Sequence, residues 1–211
     1  MNSEKVLSFF KEITKIPRES GHEEHIIAYL QDFAAQRSLE CKTDKAGNVL
    51  IVKEAAEGYE GVPAIVLQSH SDMVCEKNKG TNHDFTKDPL QLRIDGDYIY
   101  ATDTTLGADN GIAVAMIMAI LADKTLSHPS IEAVFTTDEE IGMVGALALD
   151  MSRLNGKKMI NIDSEESGVV TVSCAGGSDF TATLKTETKQ KSGYEVTIDL
   201  NGLKGGHSGV E

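Results

Sequence analysis

Val6, Leu7, Phe10 and Ile13 recur at helical spacing, and Pro17 ends the helix they predict. Ser20 with Glu23 forms a capping-box pattern ahead of a second helix, whose apolar side carries Ile26, Ile27, Leu30 and Phe33. A hairpin follows, with Asp44 to Asn48 as its turn and Val49 to Val52 as its second strand. Ala64 to Leu67 is continuously apolar, as a strand buried on both faces must be. Leu90 to Ile94 and Tyr98 to Ala101 flank Asp95-Gly96-Asp97, a second hairpin signal. From Gly111 to Leu121 the chain is small and apolar nearly all round, which predicts a deeply buried helix. Ile131 to Thr137 reads as a strand, Val144 to Leu149 as a helix, and Met159 to Ile162 and Val169 to Ser173 as strands.

This alternation predicts an α/β fold: a mixed, largely parallel sheet with helices on both faces. After Gly176-Gly177 the texture changes. Asp179 to Thr188 and Tyr194 to Leu200 alternate polar and apolar, as strands of a two-faced antiparallel sheet do. The expected organisation is therefore a first domain over residues 1–176 and the start of a second over 177–211.

Composition narrows the function. With 33 acidic against 20 basic residues the formal net charge is −13, which argues against nucleic acid or an anionic membrane as partner. The three cysteines, Cys41, Cys75 and Cys174, have no CxxC spacing, so free thiols in a reducing compartment fit better than disulfides or a zinc-thiolate site. No apolar run approaches a membrane span, and the start lacks the uninterrupted apolar stretch of a signal peptide, so the expected location is the cytoplasm.

Four short stretches carry the chemistry: Ser69-His70-Ser71-Asp72, Gly107-Ala108-Asp109-Asn110-Gly111, Asp138-Glu139-Glu140 and Asn161-Ile162-Asp163. Each ends a predicted strand or opens a predicted helix, and in an open α/β sheet such ends converge on one crevice. One imidazole among several carboxylates there suits a divalent metal. His70 and Asp72 are two apart, so extended backbone puts both on one face, where the acid can orient the imidazole. Asp109 could cap the buried helix or bridge two cations with its two oxygens. If the backbone at Glu139 and Glu140 is extended, the two point opposite ways, and one can ligate while the other takes a proton from water. An ordinary solvated loop explains any one of these stretches; the recurrence at four element ends is what favours a site. His22, His25, His83 and His128 read as surface or loop residues, and His207 as a turn residue.

The segments Gln68 to Lys77, Thr104 to Ala113, Thr136 to Ala146 and Asn161 to Glu166 together closely resemble the metallopeptidase family that includes carboxypeptidase G, aminoacylase and the cytosolic dipeptidases. The likeness runs in order along the whole chain and is greatest to the aminoacyl-histidine dipeptidase branch. It implies a metal-dependent dipeptidase with two divalent ions, zinc or alternatively manganese or cobalt. Asp109 would bridge the ions, His70 and Asp163 would complete one set of ligands, and Glu140 would serve the other. Asp72 would stand behind His70, Glu139 would be the general base, and the Asp109–Asn110 peptide bond would be cis. The family fold is a catalytic α/β domain interrupted by an α+β lid that commonly forms a homodimer. The lid would begin near Gly177, and His207 in Gly-Gly-His-Ser-Gly would bind the reacting carbonyl of a dipeptide substrate. Family members continue through the lid and return to supply a last histidine ligand, so the chain is expected to be an N-terminal portion. The related N-acyl amino acid deacylases share the metal chemistry, and an inactive metal-binding fragment is the third reading.

Overall fold

The computed structural model describes residues 3–164, 166, 168–173, 181–185, 187, 192–194 and 196–199. The chain separates into two units, Met1–Val170 and Thr171–Glu211. In the first, helix α1 (Ser3–Ile13) buries Val6, Phe9, Phe10 and Ile13, one stripe at helical spacing. Phe9 takes the inward place expected of Leu7, which is 38% exposed. The Phe9 ring meets Phe33 of α2 (Glu24–Ala35) edge-on at 5.6 Å, and the Arg37 guanidinium stacks 3.9 Å from Phe33. The expected capping box does not form. Glu23 stands at the N-cap of α2 without a side-chain cap bond, because it and Ser20 are engaged elsewhere.

The main sheet has the order β1-β2-β6-β3-β7. β1 (Glu40–Thr43) and β2 (Val49–Lys53) form the expected hairpin, and β2 runs antiparallel to β6 (Ile131–Thr136). β3 (Ile65–His70) lies parallel to both β6 and β7 (Lys158–Asn161). The register pairs His70 with Thr136 and Gln68 with Asn161, so the carboxyl ends of three strands meet at one edge. Side chains alternate across the sheet. Leu67, Ala133, Phe135, Val49 and Ile51 join the large core built with α1, α2 and α3 (Ala108–Ala122), while Val66 and Val134 pack with Leu154 in a smaller cluster. α3 is buried from Ala113 to Leu121 on nearly every side, and it packs against α1 and β3. β4 (Leu92–Asp95) and β5 (Tyr98–Ala101) form a separate hairpin turning at Gly96, where φ is +59°.

After β6 comes the short helix α4 (Val144–Ala148), then a single 3₁₀ turn at Met151–Arg153. No strand forms over Val169 to Ser173, contrary to expectation. A strand needs a neighbour to take its backbone hydrogen bonds, and among the described residues none does so there. In the second unit the described residues carry no helix or strand, and Tyr194, Val196 and Ile198 are exposed. The strands expected over Asp179 to Thr188 and Tyr194 to Leu200 fall partly outside the described residues, as Gly176-Gly177 and His207 do entirely. Among the described residues no helix is long and apolar enough to cross a membrane.

Candidate active site

The end of β3 carries His70 into the interior, 1% exposed. Its Nδ1 lies 3.2 Å from Asp72 Oδ1 and its Nε2 lies 3.0 Å from Asp109 Oδ1. Asp72 is fully buried, and its carboxylate accepts the Ser20 hydroxyl at 2.7 Å and the amides of Glu139 and Glu140 at 3.1 and 3.2 Å. One carboxylate therefore gathers the imidazole, the connector between α1 and α2, and the loop after β6. That loop is not extended: Asp138 has φ +53°, and both following amides turn back to Asp72. The extended backbone on which the opposed directions of Glu139 and Glu140 depended is therefore absent. Asp138 is itself fastened twice, its amide to Glu23 Oε1 at 2.8 Å and its Oδ1 to the Gly21 amide at 2.7 Å.

Across the crevice, Gly107 supplies the N-cap of α3 in a left-handed conformation at φ +63°, so Asp109 sits inside the first turn and is not its cap. Asp109 and Asn110 depart from helical dihedrals, and the peptide bond between them is cis. Asn110 Nδ2 donates to Ile162 O at 2.9 Å and Asp163 Oδ1 at 2.8 Å, joining the mouth of α3 to the end of β7. Asp163 Oδ2 and Glu139 Oε2 each stand 3.9 Å from His70 Nε2. Ligand atoms of His70, Asp109 and Glu140 all lie within 4.8 Å of one another. Nitrogen and carboxylate oxygen at such spacing are the donors a zinc-like ion takes.

The electrostatics describe a site crowded with negative charge. Burial works against a charged His70, but its hydrogen bonds to Asp109 and Asp72 and the charges of Asp72 and Asp163 push it up to about 10. Burial likewise works against a charged Asp72, yet His70, Ser20 and the two glutamate amides hold its carboxyl down at about 2. Glu139, Glu140 and Asp163 are raised, first by burial and then by the neighbouring acids, with the His70 charge opposing. A divalent cation would relieve this repulsion. Burial pushes the Cys75 thiol up to about 12, far from the range of a nucleophile.

Six of the residues singled out above, His70, Asp72, Asp109, Glu139, Glu140 and Asp163, thus meet at one edge of the sheet. His22 and His25 are exposed, and His22 precedes α2 rather than lying on it. Sequence reasoning missed Arg18, Ser20, Glu23 and Asn110. Asn110 adjoins Asp109 and could have been suspected; Ser20 and Glu23 were hidden behind their capping pattern. Nothing local marks Arg18 as a buried cation.

Comparison with known proteins finds relatives among the peptidases. The chain is 46% identical to the cytosol non-specific dipeptidase of Escherichia coli (strain K12) over 204 residues, 96% of this chain and 42% of that protein. The crystal structure of the aminoacylhistidine dipeptidase from Vibrio alginolyticus superposes with a TM-score of 0.76 at 45% identity, over 78% of this chain and 34% of that one. A tripeptidase from Staphylococcus aureus superposes with a TM-score of 0.67 at 26% identity, over 79% of this chain and 44% of that one. The chain thus spans less than half the length of these relatives. The sequence pattern of peptidase family M20/M25/M40 matches residues 66–201, a stretch that contains all six of the clustered site residues. The chain belongs to peptidase family M20/M25/M40.

Proposed function

We propose that the protein is a metal-dependent dipeptidase whose water-activating centre is the cluster at the carboxyl ends of β3, β6 and β7. One observation carries the reading: His70, Asp109 and Glu140 offer donors within 4.8 Å of one another, while the Glu139 carboxylate lies close by. Asp109 would bridge two ions, with His70 and Asp163 on one and Glu140 on the other. Zinc suits this donor set, and manganese or cobalt can also take it. A bound divalent ion supplies a Lewis acid for the scissile carbonyl and lowers the pKa of water towards 7. Asp72 holds His70 Nδ1, which leaves Nε2 turned towards Asp109. Glu139 takes the proton of the attacking water and passes it to the leaving amine. His207, the homodimer and the cytoplasmic location belong to the same proposal. The similarity to dipeptidases from two bacteria supports dipeptides over N-acyl amino acids as substrates.

The test is hydrolysis of Xaa-His dipeptides beside N-acetyl and N-succinyl amino acids, with metal content measured in parallel. Glu139→Ala is expected to cut turnover at least about a hundredfold, the ordinary scale of acid–base assistance, with metal content unchanged. Near-normal turnover in that variant would refute the role of Glu139, and preference for acylated substrates would refute the dipeptidase reading. Because the chain spans 42% of its E. coli relative, metal held without turnover favours a second reading, a metal-binding chain that does not itself hydrolyse.

A further inference from the structure

Arg18 is 1% exposed and carries the largest of the fully buried side chains, yet none of the chemistry above uses it. Its Nη1 donates to Ser71 O at 3.2 Å and Asp72 O at 2.9 Å, and its Nη2 donates to Gly107 O. Its own carbonyl accepts the Met73 amide at 3.1 Å. The first two carbonyls follow His70 directly, and the third stands two residues before Asp109. We infer that Arg18 is a positioning residue: its guanidinium ties the backbone beyond β3 to the mouth of α3 and so sets the spacing of His70 and Asp109. This rests on the metal-site reading proposed above.

Two further observations support it. A Cβ on Gly111 would meet Arg18 Nη2 at 2.7 Å, and one on Gly107 would collide with the same nitrogen and with Met73 Sδ at 2.5 Å. Both glycines of Gly-Ala-Asp-Asn-Gly therefore leave room for the guanidinium, which fits against the helix mouth with no space to spare. The planar fork reaches three carbonyls at once, which a lysine ammonium on its single stem cannot reproduce. Burial pulls the group down to about 10, with Cys75, Asp72, Asp109 and Glu140 acting in the opposite direction, so it remains charged at neutral pH. The fixed cation thus also faces three of the acids that surround His70.

The experiment compares the chain with Arg18→Lys by zinc affinity, in competition with a chelating dye, and by amide hydrogen exchange. Arg18→Lys is expected to weaken zinc binding about 10- to 100-fold, the scale for residues that orient metal ligands. It should speed exchange at the amides of Ser71, Met73, Gly111, Glu139 and Glu140, while β2 and β6 amides stay protected. A folded Arg18→Lys with unchanged affinity and unchanged exchange overturns the inference, and so does acceleration spread evenly over the fold. If the wild type holds no zinc, the metal-site reading fails, and the exchange pattern alone still decides the role of Arg18. Should Arg18→Lys not fold, Gly111→Ala displaces the same guanidinium without removing it. Localised loss of protection in that variant supports the inference, and wild-type exchange overturns it.

Discussion

Glu23 is the residue whose job differs most from its local pattern. Ser20-x-x-Glu23 has the form of a capping box, but Ser20 donates to Asp72 and Glu23 accepts from the Asp138 amide. Spacing reveals which backbone groups a side chain can reach, not which more distant donors compete for it. Glu23 is 6% exposed; burial, with Asp138 and Asp72 nearby, raises its pKa from 4.5 to about 7, against the Asp138 amide bond that lowers it. The folded state therefore binds its proton more tightly than the unfolded chain. The resulting stabilisation is complete below about 4.5 and is lost as the pH rises through about 7. Glu23→Gln keeps an acceptor for the Asp138 amide and carries no charge at any pH. We expect it to melt a few degrees above wild type at pH 8 and level with it at pH 4, by circular dichroism. Equal melting at both pH values would show that Glu23 is already neutral or well solvated.

At the scale of elements, the site exists because β3 and β6 run parallel in a register that pairs His70 with Thr136. The strand after each crossover starts from the far edge, so the loops leaving both strands emerge together. Much of this was legible. Apolar runs betray β3 and β6, Asp-Gly betrays the β4–β5 turn, and an all-round apolar helix must be central. Two details were not legible. Val169 to Ser173 has strand-like composition, but pairing depends on a neighbour that local sequence does not show. Nor does periodicity decide between Leu7 and Phe9, because either completes a stripe with Val6, Phe10 and Ile13. Tertiary packing resolves it through Phe33. The loop after β6 is held by α4, where Asn48 Nδ2 donates to Gly145 O at 2.8 Å and Asn48 Oδ1 accepts the Thr137 amide at 3.2 Å. A Cβ on Gly145 would lie 2.5 Å from Asn48 Oδ1 and 2.5 Å from Thr137 O. Gly145→Ala should therefore destabilise the fold by about 1–3 kcal/mol despite alanine's better helix propensity, as overpacking does. Urea denaturation reading wild-type stability would show that α4 shifts freely, and would uncouple it from the Asp138 loop.

At the scale of the molecule, four of the 33 acidic residues, Asp109, Glu139, Glu140 and Asp163, crowd one imidazole. That crowding shifts the groups involved: His70 is pushed up to about 10, and Glu139, Glu140 and Asp163 are all raised. A divalent ion would offset that repulsion and bind only the folded arrangement, because β3, α3 and the β6 loop bring the donors together from distant parts of the chain. Binding that is exclusive to the folded state stabilises it by about 2.7 kcal/mol at a hundred times the dissociation constant. For a chain of this size each kcal/mol moves the melting point by about 2–4 °C. Saturating zinc should thus raise the melting temperature by roughly 5–10 °C, and a chelator should return it. His70→Ala removes the imidazole at the centre of the cluster and should lose most of that shift, whereas Glu139→Ala should keep it. No response to zinc, manganese or cobalt would mean that no divalent ion offsets the acids, and the metal reading would then fall. An equal response in His70→Ala would instead place the ion away from the end of β3.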